Sequence, residues 1–354
     1  MNLENNQKQS DDEIQNMQYK KHVNRIKNGS LKIKKDGSLN DLSFTQRFQL
    51  NHLYITSCHQ ISFQHAFSQS CTVFQAEKCK IKNISGIEQN KALKSLFLSD
   101  NFIEDISPLR TIKSIDTLEI ANNKIQDISP LNQLNNLKFL FLNNNNITDI
   151  SQIKDLHYLE ELFVSFNQIT SLHSIKNLKS LKVLHANNNK ITDLHGVQYL
   201  KNLTSLNLNN NQIFDLSPLS ACSSLASLQI INNQITDASP LQHIQQLSYV
   251  QLEQNFINDF QALTQLQNYT KYNFKLGNQQ QPSLAQIQTS ARMKTISTTR
   301  SHLENISSKR TVLQSHFNSV TNKSELLIDA ITNVQLNLSR KLLQVFGTIE
   351  DASQ

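Results

Sequence analysis

The feature that most constrains this chain is a unit of 22 residues repeated in phase. Copies begin at Leu93, Ile115, Leu137, Leu159, Leu181, Leu203, Leu225 and Leu247, with no insertion between them. A fixed period of this length marks a stacked repeat, because one unit cannot bury its apolar face alone. Numbering the unit 1 to 22, positions 4 and 6 are apolar and two apart, the period of a strand with one buried face. Position 9 is asparagine in every copy: Asn101, Asn123, Asn145, Asn167, Asn189, Asn211, Asn233 and Asn255. Just past a strand, a buried carboxamide can bond the backbone of its own turn and of the neighbouring one. Position 11 is isoleucine throughout and points inward again. Four copies place Ser-Pro at positions 15 and 16: Ser107-Pro108, Ser129-Pro130, Ser217-Pro218 and Ser239-Pro240. Serine before proline predicts an N-cap followed by the one helical position that tolerates proline. A coil of this length has no room for a long helix. Each is therefore expected to pair a strand with a short 3₁₀ or α turn that buries positions 17 and 20.

This pattern resembles the leucine-rich-repeat family in its short form, the form of a regulatory subunit of protein phosphatase 1 and of bacterial internalins. The resemblance implies an α/β solenoid, a horseshoe with a parallel sheet on its concave side and short 3₁₀/α turns on its convex side. It also implies a protein-binding role, with a phosphatase catalytic subunit as one candidate partner, although one repeat scaffold hosts many functions. Two degenerate units precede the regular ones. Counting back 22 from Leu93 reaches Cys71, with Cys79 in the asparagine slot; a further unit starts at Leu50, with Cys58 in that slot. The family pattern admits cysteine there. The solenoid is thus expected over 50–281, with regular repeats over 93–268. A cap follows over 269–281, where Tyr269, Tyr272, Phe274 and Leu276 alternate with polar residues.

The formal net charge is +6, and the surplus lies in the flanks. Residues 1–49 carry nine Lys/Arg against six Asp/Glu, and 283–354 carry eight against five. The solenoid between them is balanced, so its surface makes no electrostatic case for nucleic acid. Residues 1–49 read as a polar, largely disordered extension. Their basic run of Lys20, Lys21, Arg25, Lys27, Lys32, Lys34 and Lys35 suits a solvated linker, or contact with RNA, an acidic partner or an anionic membrane surface, or a nuclear signal. From 282 to 354, apolar residues recur on a heptad from Ile296 to Val345, through Leu303, Leu313, Val320, Leu327 and Val334. That predicts a long amphipathic helix, a coiled-coil-like tail, or a helical hairpin broken at a capping box Asn322-x-x-Glu325. Its apolar stripe calls for a partner helix: a second copy, another protein, or the solenoid itself. No apolar run opens the chain and none is long enough to span a membrane. The expected location is the cytoplasm, or the nucleus.

Positions 3, 5 and 7 alternate away from the core and should line the concave face. There Phe139, Phe141, Phe163, Val183 and His185 fall on three adjacent strands, with Phe97 nearby, Phe166 at the edge, and Glu119 and Glu161 flanking. An exposed group of aromatics marks a contact surface, and the two glutamates suit a basic residue on a partner. The alternatives are cover by the protein's own tail, or an idle surface. A structural role in a cytoskeletal or ciliary assembly, acting through the C-terminal coil, is the rival to a scaffold that grips a protein.

Enzyme chemistry finds no support. Six glycines leave no phosphate-cradling loop, and G-x-G-x-x-G, G-x-x-x-x-G-K-[ST], H-E-x-x-H and G-x-S-x-G are all missing. Cys58, His59, His65, Cys71 and Cys79 cluster in sequence, but without a C-x-x-C pair. Cys58, Cys71 and Cys79 fall on core positions, as does Cys222, so neither a metal nor a cofactor is expected. The position-13 acids Asp105, Asp127, Asp149, Asp193, Asp215, Asp237 and Asp259 sit at equivalent turns and read as repeat chemistry.

Overall fold

The computed structural model describes residues 25–36, 39, 42–58, 61, 63 and 68–257, and the backbone of 273–275. They lie in the first of two units, Met1–Ser290; the second, Ala291–Gln354, falls outside them, and with it the heptad tail and its expected coiled coil. Twelve strands form one sheet in strict chain order. They are β1 (Ser30–Lys34), β2 (His52–Thr56), β3 (Val73–Glu77), β4 (Ser95–Phe97), β5 (Thr117–Glu119), β6 (Phe139–Phe141), β7 (Glu161–Phe163), β8 (Val183–His185), β9 (Ser205–Asn207), β10 (Ser227–Gln229), β11 (Tyr249–Gln251) and β12 (Asn273–Lys275). Every pairing is parallel, and equivalent positions of neighbouring repeats meet: Phe141 faces Phe163, and Phe163 faces His185. The register follows from the period. Coils of equal length, stacked, place position 5 beside position 5.

A 3₁₀ turn closes most coils on the side opposite the strand, as over Ser129–Gln133. The core lies between sheet and turns. In the coil from Leu137, the buried residues are Leu137, Leu140, Leu142, Asn145, Ile147, Ile150, Ile153 and Leu156. Each buried leucine or isoleucine contributes about 1.5–3 kcal/mol. Position 14, for which no inward role was expected, is also core: Ile106, Ile128, Ile150, Leu172, Leu194, Leu216 and Ala238 are all buried.

The position-9 asparagines form a continuous ladder. Asn145 Nδ2 lies 3.0 Å from the carbonyl of Ile120 in the preceding coil and 3.1 Å from Leu142 O in its own. Its Oδ1 accepts the amide of Ile125 at 3.0 Å. The pattern recurs from Asn101 to Asn255, so one side chain satisfies backbone groups of two successive coils. Cys58 and Cys79 stand in the same slot, buried, each with its thiol near the carbonyl two residues back: Thr56 at 3.6 Å and Glu77 at 3.1 Å.

Two expectations are corrected. The serine of Ser-Pro is not the N-cap, and no side chain of the capping residue Ile106 or Ile128 bonds the turn. The aspartate two residues before the serine holds it instead. Asp127 Oδ1 accepts the Ser129 amide at 2.7 Å and Oδ2 its hydroxyl at 2.9 Å, an Asx turn. The same bonds recur at Asp105 and Asp149, and at Asp215 one oxygen, Oδ1, accepts both, which accounts for those carboxylates. The second correction concerns the N-terminal boundary. Residues 30–34, assigned to the polar extension, form β1 and pair with β2 over all five residues. Leu31 and Ile33 are fully buried between Lys32 and Lys34. A strand's alternation thus runs through the basic run, where a count of charges hides it. At the other end, β12 lies within the stretch expected to cap the solenoid; the remainder of that stretch is outside the described residues.

Candidate functional site

Strands β3 to β11 each bury their central residue and turn positions 3 and 5 outward, with position 7 just beyond. The pairing fixes the row at position 5: Tyr54, Gln75, Phe97, Glu119, Phe141, Phe163, His185, Asn207. Phe141 and Phe163 stack with ring centroids 4.7 Å apart and planes 15° from parallel. His185 meets Phe163 edge-on, at 4.7 Å and 72°. Burial against this stack lowers the His185 pKa, so its imidazole is neutral at pH 7.

The other expected residues are placed around this row. Phe139 and Val183 lie in the position-3 row with Glu161 between them. Glu119 ends the aromatic row and separates Phe97 from it. Ser99 Oγ donates to Glu119 Oε1 at 2.9 Å, orienting the carboxylate. The Glu77 carboxyl is pushed up, first by burial and then by repulsion from Glu119 and Asp100. Phe141, Phe163 and His185 are therefore one contiguous surface, Phe139 and Val183 adjoin it, and Phe97 stands apart.

Phe166 has an environment that alternation alone does not reveal. Position 8 adopts the left-handed conformation in every regular copy, with φ between 54° and 59°. Asparagine and aspartate tolerate that region; a bulky side chain there is an outlier. The polar occupants form a second, exposed ladder. Asn122 Nδ2 donates to Asp100 at 2.8 Å and Asn144 to Asn122 at 2.7 Å; beyond the gap, Asn210 donates to Asn188 at 2.9 Å and Asn232 to Asn210 at 3.0 Å. Phe166 interrupts this ladder, at φ 56° and 55% exposed. Beside it an open depression of about 580 Å³ is lined by Asn122, Asn143, Asn144, Phe163, Ser165, Phe166, His185 and Asn187. The stacked phenylalanines recover about 0.2–1 kcal/mol as a cross-strand pair, but Phe166 stacks on no ring among the described residues.

Among the described residues, no three of His, Cys, Asp and Glu gather to hold a metal, and no helix is long and apolar enough to cross a membrane. His59 and His65 lie outside those residues. Around the stack the face offers ring surfaces, carboxamides and the carboxylates of Glu119 and Glu161.

A stack of equal coils, each giving one strand to a parallel sheet and one asparagine to a buried ladder, defines a parallel-strand repeat solenoid. The particular kind is settled by comparison: the chain belongs to the leucine-rich-repeat family. The family described as Leucine Rich repeats (2 copies) matches residues 113–155, 158–199, 179–221 and 201–243. Internalin C2 from Listeria monocytogenes str. 4b F2365 is 31% identical over 52% of this chain and 83% of its own, with a TM-score of 0.50. An internalin (inlF) from the same strain is 34% identical over 59% of this chain and 67% of its own, also at 0.50. A chain of the octameric complex of Latrophilin 3, Unc5D and FLRT2 (LRR) shares the fold at 19% identity, with a TM-score of 0.60 over 74% of this chain and 93% of that one. No curated protein sequence matches the chain.

Proposed function

We propose that this protein is a non-enzymatic interaction scaffold that grips a protein partner on the sheet face of its solenoid, around Phe141, Phe163, His185 and Phe166. The observation that carries this reading is Phe166. An aromatic side chain is held in a left-handed conformation, more than half exposed, where neighbouring copies place a hydrogen-bonded asparagine. Strain of about 1–3 kcal/mol per such residue persists where function maintains it. Fold relatives support the role in general terms, since one is solved within the Latrophilin 3, Unc5D and FLRT2 complex. On the repeat-level resemblance alone, a phosphatase catalytic subunit is a candidate partner, and the cytoplasm or nucleus the place of action.

A second reading rests on the heptad from Ile296 to Val345: a structural component of a cytoskeletal or ciliary assembly, acting through a coiled coil. Affinity capture with the full chain separates the two. If the sheet face is the site, Phe141→Glu/Phe163→Glu loses the partner and Leu327→Arg keeps it. The reverse pattern assigns the function to the tail and sinks the scaffold reading.

A further inference from the structure

We propose that the partner segment seated on this face is cationic: an extended stretch of a partner protein whose arginine or lysine side chains lie against Glu119 and Glu161 and whose apolar side chains meet the rings between them. This inference rests on the sheet-face reading above and adds the chemistry of the occupant.

From β3 onward, charge on the coils is segregated, whereas β1 brings Lys32 and Lys34 to the same face. From Val73 to Glu253, positions 3, 5 and 7 hold four carboxylates, Glu77, Glu119, Glu161 and Glu253, and neither lysine nor arginine. The solenoid that carries this face holds equal numbers of Lys/Arg and Asp/Glu. The lysines stand elsewhere on the coil, as at Lys94, Lys138 and Lys182 in position 2, outside the strands. The contrast is sharpest at two neighbours in sequence. Glu160, off the sheet face, pairs with Lys182 at 2.6 Å, whereas Glu161, on the face, has no ion pair among the described residues. Glu119 receives a hydroxyl hydrogen bond from Ser99, which orients its charge without neutralising it. Like charges gathered on one face repel, and a cation placed between them relieves that repulsion. The rings of Phe141 and Phe139 stand between the two carboxylates, where a cation over an aromatic face gains further attraction.

Geometry narrows the motif. Glu119, at position 5 of β5, and Glu161, at position 3 of β7, lie two strands and two residues apart, roughly 12 Å on the diagonal. Extended chain turns every second side chain to the same side, and four residues span about 13 Å. The occupant is therefore a segment with cationic residues four apart and an apolar residue midway, all on one side.

The test uses the full chain and three labelled peptides, Ala-Arg-Ala-Leu-Ala-Arg-Ala and the forms with both arginines replaced by glutamine or by glutamate. Binding is read by fluorescence anisotropy at near-physiological salt. The net positive charge of the protein opposes the arginine peptide at long range, so a preference for it reports the local face. We expect the arginine peptide to bind roughly tenfold tighter than the glutamine form, and the glutamate form weakest. Glu119→Gln/Glu161→Gln should abolish the difference between the arginine and glutamine peptides without lowering the melting temperature. Equal binding of the arginine and glutamine peptides, a preference that survives the double substitution, or no binding of the arginine peptide at millimolar concentration overturns the proposal. If the glutamine peptide binds equally well and is lost with Phe141→Glu, the face remains a docking site and only its cationic preference falls. If Phe141→Glu changes nothing, the sheet-face reading falls with it. Self-association of the free chain that Phe141→Glu dissolves and the glutamine pair leaves intact would assign the face to a second copy and overturn the cationic partner.

Discussion

Phe166 sits where the backbone requires φ near 56° and where neighbouring coils supply asparagine. Phe166→Asn relieves the strain of a bulky side chain and lets a carboxamide bridge Asn144 and Asn188. The expected gain is about 1–2 kcal/mol, seen as a melting temperature higher by a few degrees, together with weaker partner binding. A substitution that lowers stability would show that the position carries no strain. The thiols offer a second test. Burial pushes Cys71 up to about 12 and Cys222 up to about 11, from 9.0. In the unfolded chain both ionise near 9; in the fold they stay protonated. Their contribution is therefore whole below pH 9 and is lost as pH rises through 11 to 12. The urea midpoint should fall over that window, and less steeply for Cys222→Ala. Equal slopes would show that this thiol does not titrate differently in the fold.

Within a coil, the turn opposite the strand varies at position 16. Proline stands there in four regular copies and Gln152 and Ser174 in two, whereas Gly196 takes φ 104° at the same place. A Cβ on Gly196 would lie 2.5 Å from Leu172 O and 3.0 Å from His173 O, backbone atoms of the preceding coil that have nowhere to move. Gly196→Ala should destabilise the protein by about 2–4 kcal/mol, from positive φ and the clash together, measurable by urea unfolding. A loss within a few tenths of a kcal/mol would mean that the turn rearranges. At this scale the aspartate rather than the serine organises the turn, because a carboxylate two residues upstream reaches both the amide and the hydroxyl.

Contacts between coils run mainly to the next coil, so stability should behave as a sum of coils and their interfaces. Asn167 ties its own coil to the one before, through Leu142 O at 3.0 Å and the Ile147 amide at 3.0 Å. Asn167→Ala leaves those groups unsatisfied, a loss of about 2–4 kcal/mol. Hydrogen exchange should then lose protection around 137–180 and keep it over 203–257. Uniform loss along the chain would mean that the stack opens as one unit.

The sequence by itself determined the coil, its buried positions 4, 6, 9 and 11, and the sheet register, because an unbroken period leaves stacked units one way to align. It also placed the aromatic row, since alternation decides which side chains leave the core. It did not disclose β1, whose apolar alternation is masked by lysines, nor position 14, whose burial depends on how the turn folds back over the core. Only the tertiary structure showed that Phe141, Phe163 and His185 make one stack while Phe97 stands beyond Glu119. It alone showed that Phe166 breaks an exposed ladder in a left-handed backbone. The reason is physical: a repeat specifies backbone periodicity locally, whereas ring packing, backbone sign and unneutralised charge arise only once neighbouring coils are side by side.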